Sequence, residues 1–303
     1  MTDLHQRVLH TQHAWNRIAV IQWLPPSGRK RTGDELHDFL VRLRRIANAR
    51  YDLWFRDVSS PEELLKALDD LALSVEREGR LPILHLETHG SPIGIGSEDG
   101  ASLLKWDELR DPLARLNRAT RFNLLVVMAA CHGARLFESL DPGMAAPCWA
   151  MVGPSGPVFE HRIESAFPSF YVEYLSSGEG QKAMRALAAE DDRESHPWMY
   201  FSANFGFRYF FAIFMADTLG LGKSMELNEE ILRELATSSQ RLNNLAGSRL
   251  EQMVMERSPR IRDRVESMQK AYYMTDTVPE NESLFVLDLA KLSNIQAIER
   301  RLS

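Results

Sequence analysis

Cysteine is scarce: Cys131 and Cys148 are the only two in 303 residues. That scarcity excludes a disulfide-stapled scaffold and fits a reducing cytoplasm. Excess positive charge is missing too. A formal net charge of −6 and an isoelectric point near 5.9 remove the electrostatic basis for direct nucleic-acid binding. The local basic run Arg29-Lys30-Arg31 does not reverse that balance. Nor does the chain read as a membrane protein. The aromatic-rich stretch Met199–Ala216 carries Asn204, Gly206 and Arg208, and charge at a bilayer centre is costly, so it reads as buried core. The opening Met-Thr-Asp-Leu-His-Gln-Arg lacks the charged-then-apolar build of a secretory signal, so a cytoplasmic location is expected. No phosphate loop, internal repeat or low-complexity tract occurs, and Gly90, Gly94 and Gly96 do not have dinucleotide-loop spacing.

What is present is ordinary soluble composition, 44% apolar and 26% charged, enough to bury a full core. The length suits one large domain, or a domain with an extension. Through the first two-thirds, short apolar runs alternate with amphipathic helices. Ile18–Leu24, Tyr51–Val58, Leu81–Thr88, Phe122–Ala130 and Cys148–Val152 read as strands. Between them, Leu36, Phe39, Leu40, Leu43 and Ile46 recur at helical spacing, and Ser59-Ser60-Pro61-Glu62-Glu63 starts a helix running to about Glu78. Another helix is expected from Trp106 to about Asn117. Strands separated by helices predict an α/β fold with a mostly parallel sheet flanked by helices. From about residue 218 the pattern becomes helical, over 226–256 and 260–273, with a short strand-like run at Leu284–Leu289 before a final helix. We therefore expect domains over 1–217 and 218–303.

Two strand ends carry chemistry. One finishes Thr88-His89-Gly90, the next Ala129-Ala130-Cys131-His132-Gly133. Functional groups collect outside the carboxyl ends of parallel strands. Consecutive strands are usually neighbours, which would bring His89 and Cys131 within about 5–7 Å. A thiol beside an imidazole is a nucleophile with its general base. Gly90 would let a substrate carbonyl approach, with the Gly90 and Cys131 backbone N–H groups facing the oxyanion. Taken singly, Cys131 reads as a buried thiol and His89 as a loop histidine. Together, a His 42 residues before an Ala-Cys-His-Gly run meets most of the caspase pattern Gln-Ala-Cys-(Arg/Gln/Gly)-Gly, with Ala129 at the Gln position and His132 at the variable one. His132, adjacent in sequence to the nucleophile, is expected to line the wall or contact the oxyanion loop. His85, Glu87 and His89 alternate along one strand face and lack the helical spacing of a zinc protease, so neither metal nor organic cofactor is expected. His85 is expected to hydrogen-bond in the core, with Glu87 orienting it or His89.

The run Ile83-Leu-His-Leu-Glu-Thr-His-Gly90 resembles the strand motif of CHAT domains, caspase-like cysteine peptidases. The resemblance continues through Asp99-Gly100 to Leu104, Trp106–Leu109, Leu125–Gly133, Met151–Val158, Phe167–Leu187 and His196-Pro197-Trp198, covering about residues 15–215 in order. It implies the caspase–hemoglobinase fold, with His89 as base and Cys131 as nucleophile. It also implies a pocket that selects a charged side chain. Where many relatives carry two acids, this chain has Phe159-Glu160, so Glu160 is the candidate reader of a basic residue, or else an acid answering a helix dipole. The run Arg29–Arg31 would instead read an acidic residue, or is a solvated loop. Substrate contacts are assigned to Glu160, His132 and Ala129. The expected partners are a protein substrate, bound as an extended strand, and a regulatory protein, and the resemblance points to a prokaryotic defence or stress setting. The competing class is a catalytically silent interaction module, disfavoured because both dyad residues and both glycines are present.

Overall fold

The structure, a computed structural model, describes residues 14–25, 31–189, 197–207, 209–210 and 259–284. Main-chain packing divides the chain into two units, one of Met1–Ser139 with Pro147–Ala203, the other of Leu140–Ala146 with Asn204–Ser303.

In the first unit, the β-branched run Arg17–Trp23 forms β1, buried along its whole length, as a strand covered on both faces must be. Helix α1 follows over Thr32–Ile46, acidic in its first turn and basic in its last, in keeping with the helix dipole. Strand β2 is Asp52–Asp57 and helix α2 is Pro61–Glu78. The Ser60 hydroxyl accepts the Glu63 N–H at 3.2 Å, and Gly79 closes the helix in the left-handed conformation. Strand β3, Pro82–Ser91, outruns the parallel sheet and turns back through the short strands β4, Gly94–Gly96, and β5, Leu103–Lys105. Helix α3 is Trp106–Ala119 and strand β6 is Leu125–Ala129. That strand starts later than the expected Phe122, because Arg121 and Phe122 both adopt positive φ and form a turn. A 3-10 turn over Gly133–Ser139 leads on towards β7, Ala150–Pro154. Helices α4, Glu160–Ser177, and α5, Gly180–Ala189, precede β8, Trp198–Ser202. The residues Met199–Ser202, within the aromatic-rich stretch, thus complete a strand; 211–216 lie outside the described residues.

The sheet order is β2-β1-β3-β6-β7-β8, all parallel except β8, which pairs antiparallel with β7. This mixed α/β architecture, a mostly parallel sheet flanked by helices, is the expected class. One face buries Ile18, Val20, Ile83, Val127 and Val152 beneath Leu36 and Leu40 of α1, Phe167, Phe170 and Tyr171 of α4 and Leu187 of α5. Helices α2 and α3 pack against each other, burying Leu64, Leu68, Leu71, Leu109 and Leu113. The strand order reverses between β1 and β3, and such switch points open crevices outside the carboxyl ends of the strands.

In the second unit, helix α6 spans Pro259–Tyr272, close to the expected 260–273, and a short helix α7 spans Asn281–Leu284. Asn281 donates to the Tyr273 carbonyl at 2.7 Å, and the Phe207 ring packs at 5.2 Å from both Tyr272 and Tyr273. The helix expected over 226–256 and the final helix lie outside the described residues, as does the strand-like run beyond Leu284. Among the described residues, no helix is long and apolar enough to cross a membrane.

Candidate active site

Strands β3 and β6 are parallel neighbours, paired from Ile83↔Leu125 to Glu87↔Ala129. His89 lies two residues beyond Glu87, and Cys131 two residues beyond Ala129. The pairing therefore delivers both to the same carboxyl rim. Both are half-buried. The main chains meet there: a methyl group at Gly90 would sit 2.0 Å from the Cys131 carbonyl oxygen and 2.9 Å from its nitrogen. No side chain fits that approach, so glycine is required. His89 is held in turn by the β3–β4 hairpin, where it pairs with Gly96.

Cys131 opens a tight turn. The Gly133 N–H donates to the Ala130 carbonyl at 3.0 Å, and His132 adopts φ 60° while its N–H donates to Gly156 at 2.9 Å. Gly133 is buried, and a methyl group there would meet the Met128 side chain at 2.6 Å. The Cys131 sulfur accepts the Val158 N–H at 3.3 Å and its thiol donates to the Val158 carbonyl at 3.5 Å. Neither hydrogen bond goes to the His89 imidazole.

The other assigned residues fall differently. Ala129 is completely buried in the core cluster. Glu160 is exposed as the first residue of α4, two positions after Val158. Arg31 is engaged inside the chain, its guanidinium bonded to Asp34 and Asp57 and its pKa raised by those two carboxylates against the opposing effect of burial. Arg31 is thus already paired within the chain; Arg29 and Lys30 lie outside the described residues.

Beneath the rim runs a buried polar string. The Thr32 hydroxyl donates to Glu87, whose other carboxylate oxygen lies 3.0 Å from His85 Nε2, and His85 Nδ1 lies 3.2 Å from the Tyr171 hydroxyl. All four residues are buried. With the proton on Nε2, His85 donates to Glu87 and accepts from Tyr171, so each contact in the string has a donor and an acceptor. Burial first, then the Glu87 charge, pushes the Tyr171 phenol well above its ordinary value, keeping it a donor. Of the two alternatives for Glu87, the structure has it bonded to His85. Alternating polar residues on an apolar strand signalled this pair; its closure by Thr32 and Tyr171 had no local signal.

A cavity of about 200 Å³ lies beside this string, between α1 and α4. Thr32, Glu35, Glu87 and Glu164 line it with Arg42 and apolar residues including Leu36 and Phe167. Three carboxylates against one guanidinium make it acidic. Cys148 is a different kind of thiol, buried and pushed up to about 12 by desolvation, so it stays protonated and inert at neutral pH.

Fold and site together describe a mostly parallel α/β sheet that carries a histidine and a cysteine on adjacent strand ends. No protein-family model matches the chain, and no curated protein matches it. Among solved structures, it is similar to the crystal structure of the Arg-specific cysteine proteinase gingipain R, with 10% identity and a TM-score of 0.41. The similarity covers 65% of this chain and 50% of that one, so the chain spans about half the length of that proteinase.

Proposed function

We propose that this chain is a caspase-like cysteine endopeptidase of the CHAT type, with Cys131 as nucleophile and His89 as general base. The observation that carries the reading is the main-chain contact between Gly90 and Cys131 at the shared rim of β3 and β6. In the reaction, the Cys131 sulfur bonds to the scissile carbonyl carbon as His89 takes the thiol proton. The carbonyl oxygen becomes an oxyanion facing the Gly90 and Cys131 N–H groups. Collapse breaks the C–N bond, His89 delivers its proton to the leaving amine, and a thioester remains. Water, deprotonated by His89, then attacks the thioester, and the thiol leaves with its proton restored. No metal or organic cofactor enters this scheme.

A basic residue is assigned to the cleavage position, with exposed Glu160 at the start of α4 as its reader. The substrate is an exposed segment of a partner protein, bound extended. The setting proposed is the cytoplasm, in a prokaryotic defence or stress pathway, with a regulatory protein acting through the part of the chain beyond residue 218.

The second reading, a silent interaction module that keeps the fold, is favoured by one observation: both sulfur hydrogen bonds go to Val158. Fluorogenic peptides with Arg, Lys, Asp or Leu at the cleavage position separate the two. The peptidase reading expects turnover of Arg and Lys peptides, lost in Cys131→Ala and reduced about 100-fold or more in His89→Ala. No turnover of any peptide, by protein whose Cys131 still reacts with small electrophiles, favours the module.

A further inference from the structure

The loop joining β7 to α4 holds the thiol in a manner that catalysis does not need. One residue, Val158, supplies both a donor at 3.3 Å and an acceptor at 3.5 Å to the Cys131 sulfur. A second tie lies two residues back, where the Gly156 carbonyl accepts the His132 N–H at 2.9 Å. A third fixes the loop's start, the Ser155 N–H donating to Pro197 at 3.0 Å. The loop is therefore anchored at its start and at the nucleophile and its following residue, and Pro157–Phe159 belongs to no helix or strand. The Val158 main chain thus takes up the thiol both as donor and as acceptor.

We propose that the Ser155–Phe159 loop is an autoinhibitory latch, in which the Val158 main chain occupies the Cys131 thiol until a substrate strand displaces it. The proposal rests on the assignment of Cys131 as nucleophile. Val158 offers one N–H and one C=O, the pair that an extended peptide also requires. Substrate binding exchanges partners: the Val158 groups pass from the sulfur to the incoming backbone, and the thiol turns free towards His89. Few hydrogen bonds are lost in the exchange, so the latch opens for a peptide main chain. It does not open for a small molecule that offers no backbone. Latency is then a property of the loop itself, with no excised segment needed.

Two measurements test this. In the first, alkylation of Cys131 by iodoacetamide is followed by mass spectrometry in wild type and in Val158→Pro, which lacks the N–H. Removing one hydrogen bond predicts alkylation about fivefold faster in the variant, with Cys148 still unlabelled. An equal rate with Cys148 protected overturns the latch. Labelling of Cys148 as well would mean the variant has opened globally, and the second measurement then decides. Hydrogen exchange of the Val158 amide is compared between wild type and Cys131→Ala, which keeps the loop but removes the acceptor. The latch predicts exchange about fivefold faster in Cys131→Ala; unchanged exchange overturns it. These readouts are independent of turnover, so failure of the latch is told apart from failure of the peptidase reading on which it rests.

Discussion

Gly90 and Cys131 approach main chain to main chain, and this close contact places the two strand ends against each other. Any side chain at position 90 has to push the Cys131 carbonyl aside. Gly90→Ala is therefore expected to cost about 1–3 kcal/mol and to abolish peptide-directed labelling of Cys131. Thermal unfolding and probe labelling check both, and an alanine variant with wild-type Tm and labelling would contradict the contact. Glu87 makes a second residue-scale case. Glu87→Leu strips partners from Thr32 and His85 in the buried string, an expected loss of about 3 kcal/mol by urea titration. The delivery of His89 and Cys131 to one rim was legible in the sequence because each ends a strand and is followed closely by glycine. The Val158 clamp was not legible, because it is made by main-chain atoms that any residue carries.

At the scale of elements, local chemistry was readable where a side chain states it. Ser59-Ser60-Pro61-Glu62-Glu63 announced α2, and the structure has Ser60 as the cap with Glu63 reaching back to the Ser59 N–H at 2.8 Å. Ser60→Ala is expected to lower stability by about 1 kcal/mol, read as a shift in the urea midpoint with an unchanged slope. The β3–β5 hairpin was missed for a physical reason. Its strands β4 and β5 are three residues each, too short to show a period. Gly94 and Gly96 allow main chains to touch: added methyl groups would meet the Leu104 and Ser102 carbonyls at 2.3 and 2.0 Å. This hairpin extends β3 past the sheet and so carries His89 to the rim.

For the molecule as a whole, the parallel order and buried central strands follow from alternating apolar runs and helices, while the antiparallel β8 reflects pairing across distant sequence. Stability in alkali follows from burial. The Cys148 thiol ionises near 9 when exposed but only at about 12 when folded. A raised acid group of this kind contributes its full stability below about pH 9 and loses it as pH climbs towards 12. Between about pH 8 and pH 10.5, wild type should therefore lose about 2 kcal/mol more than Cys148→Ala, measured by urea titration. Parallel losses would contradict the buried, protonated thiol. The pairing of His89 with Cys131 is tested most directly by the inactivation rate with an arginyl peptide carrying a thiol-directed electrophile, the adduct located by peptide mapping. The account predicts a single adduct on Cys131, formed at least about 100-fold more slowly in His89→Ala. An adduct on Cys148, or an undiminished rate without the imidazole, would contradict it.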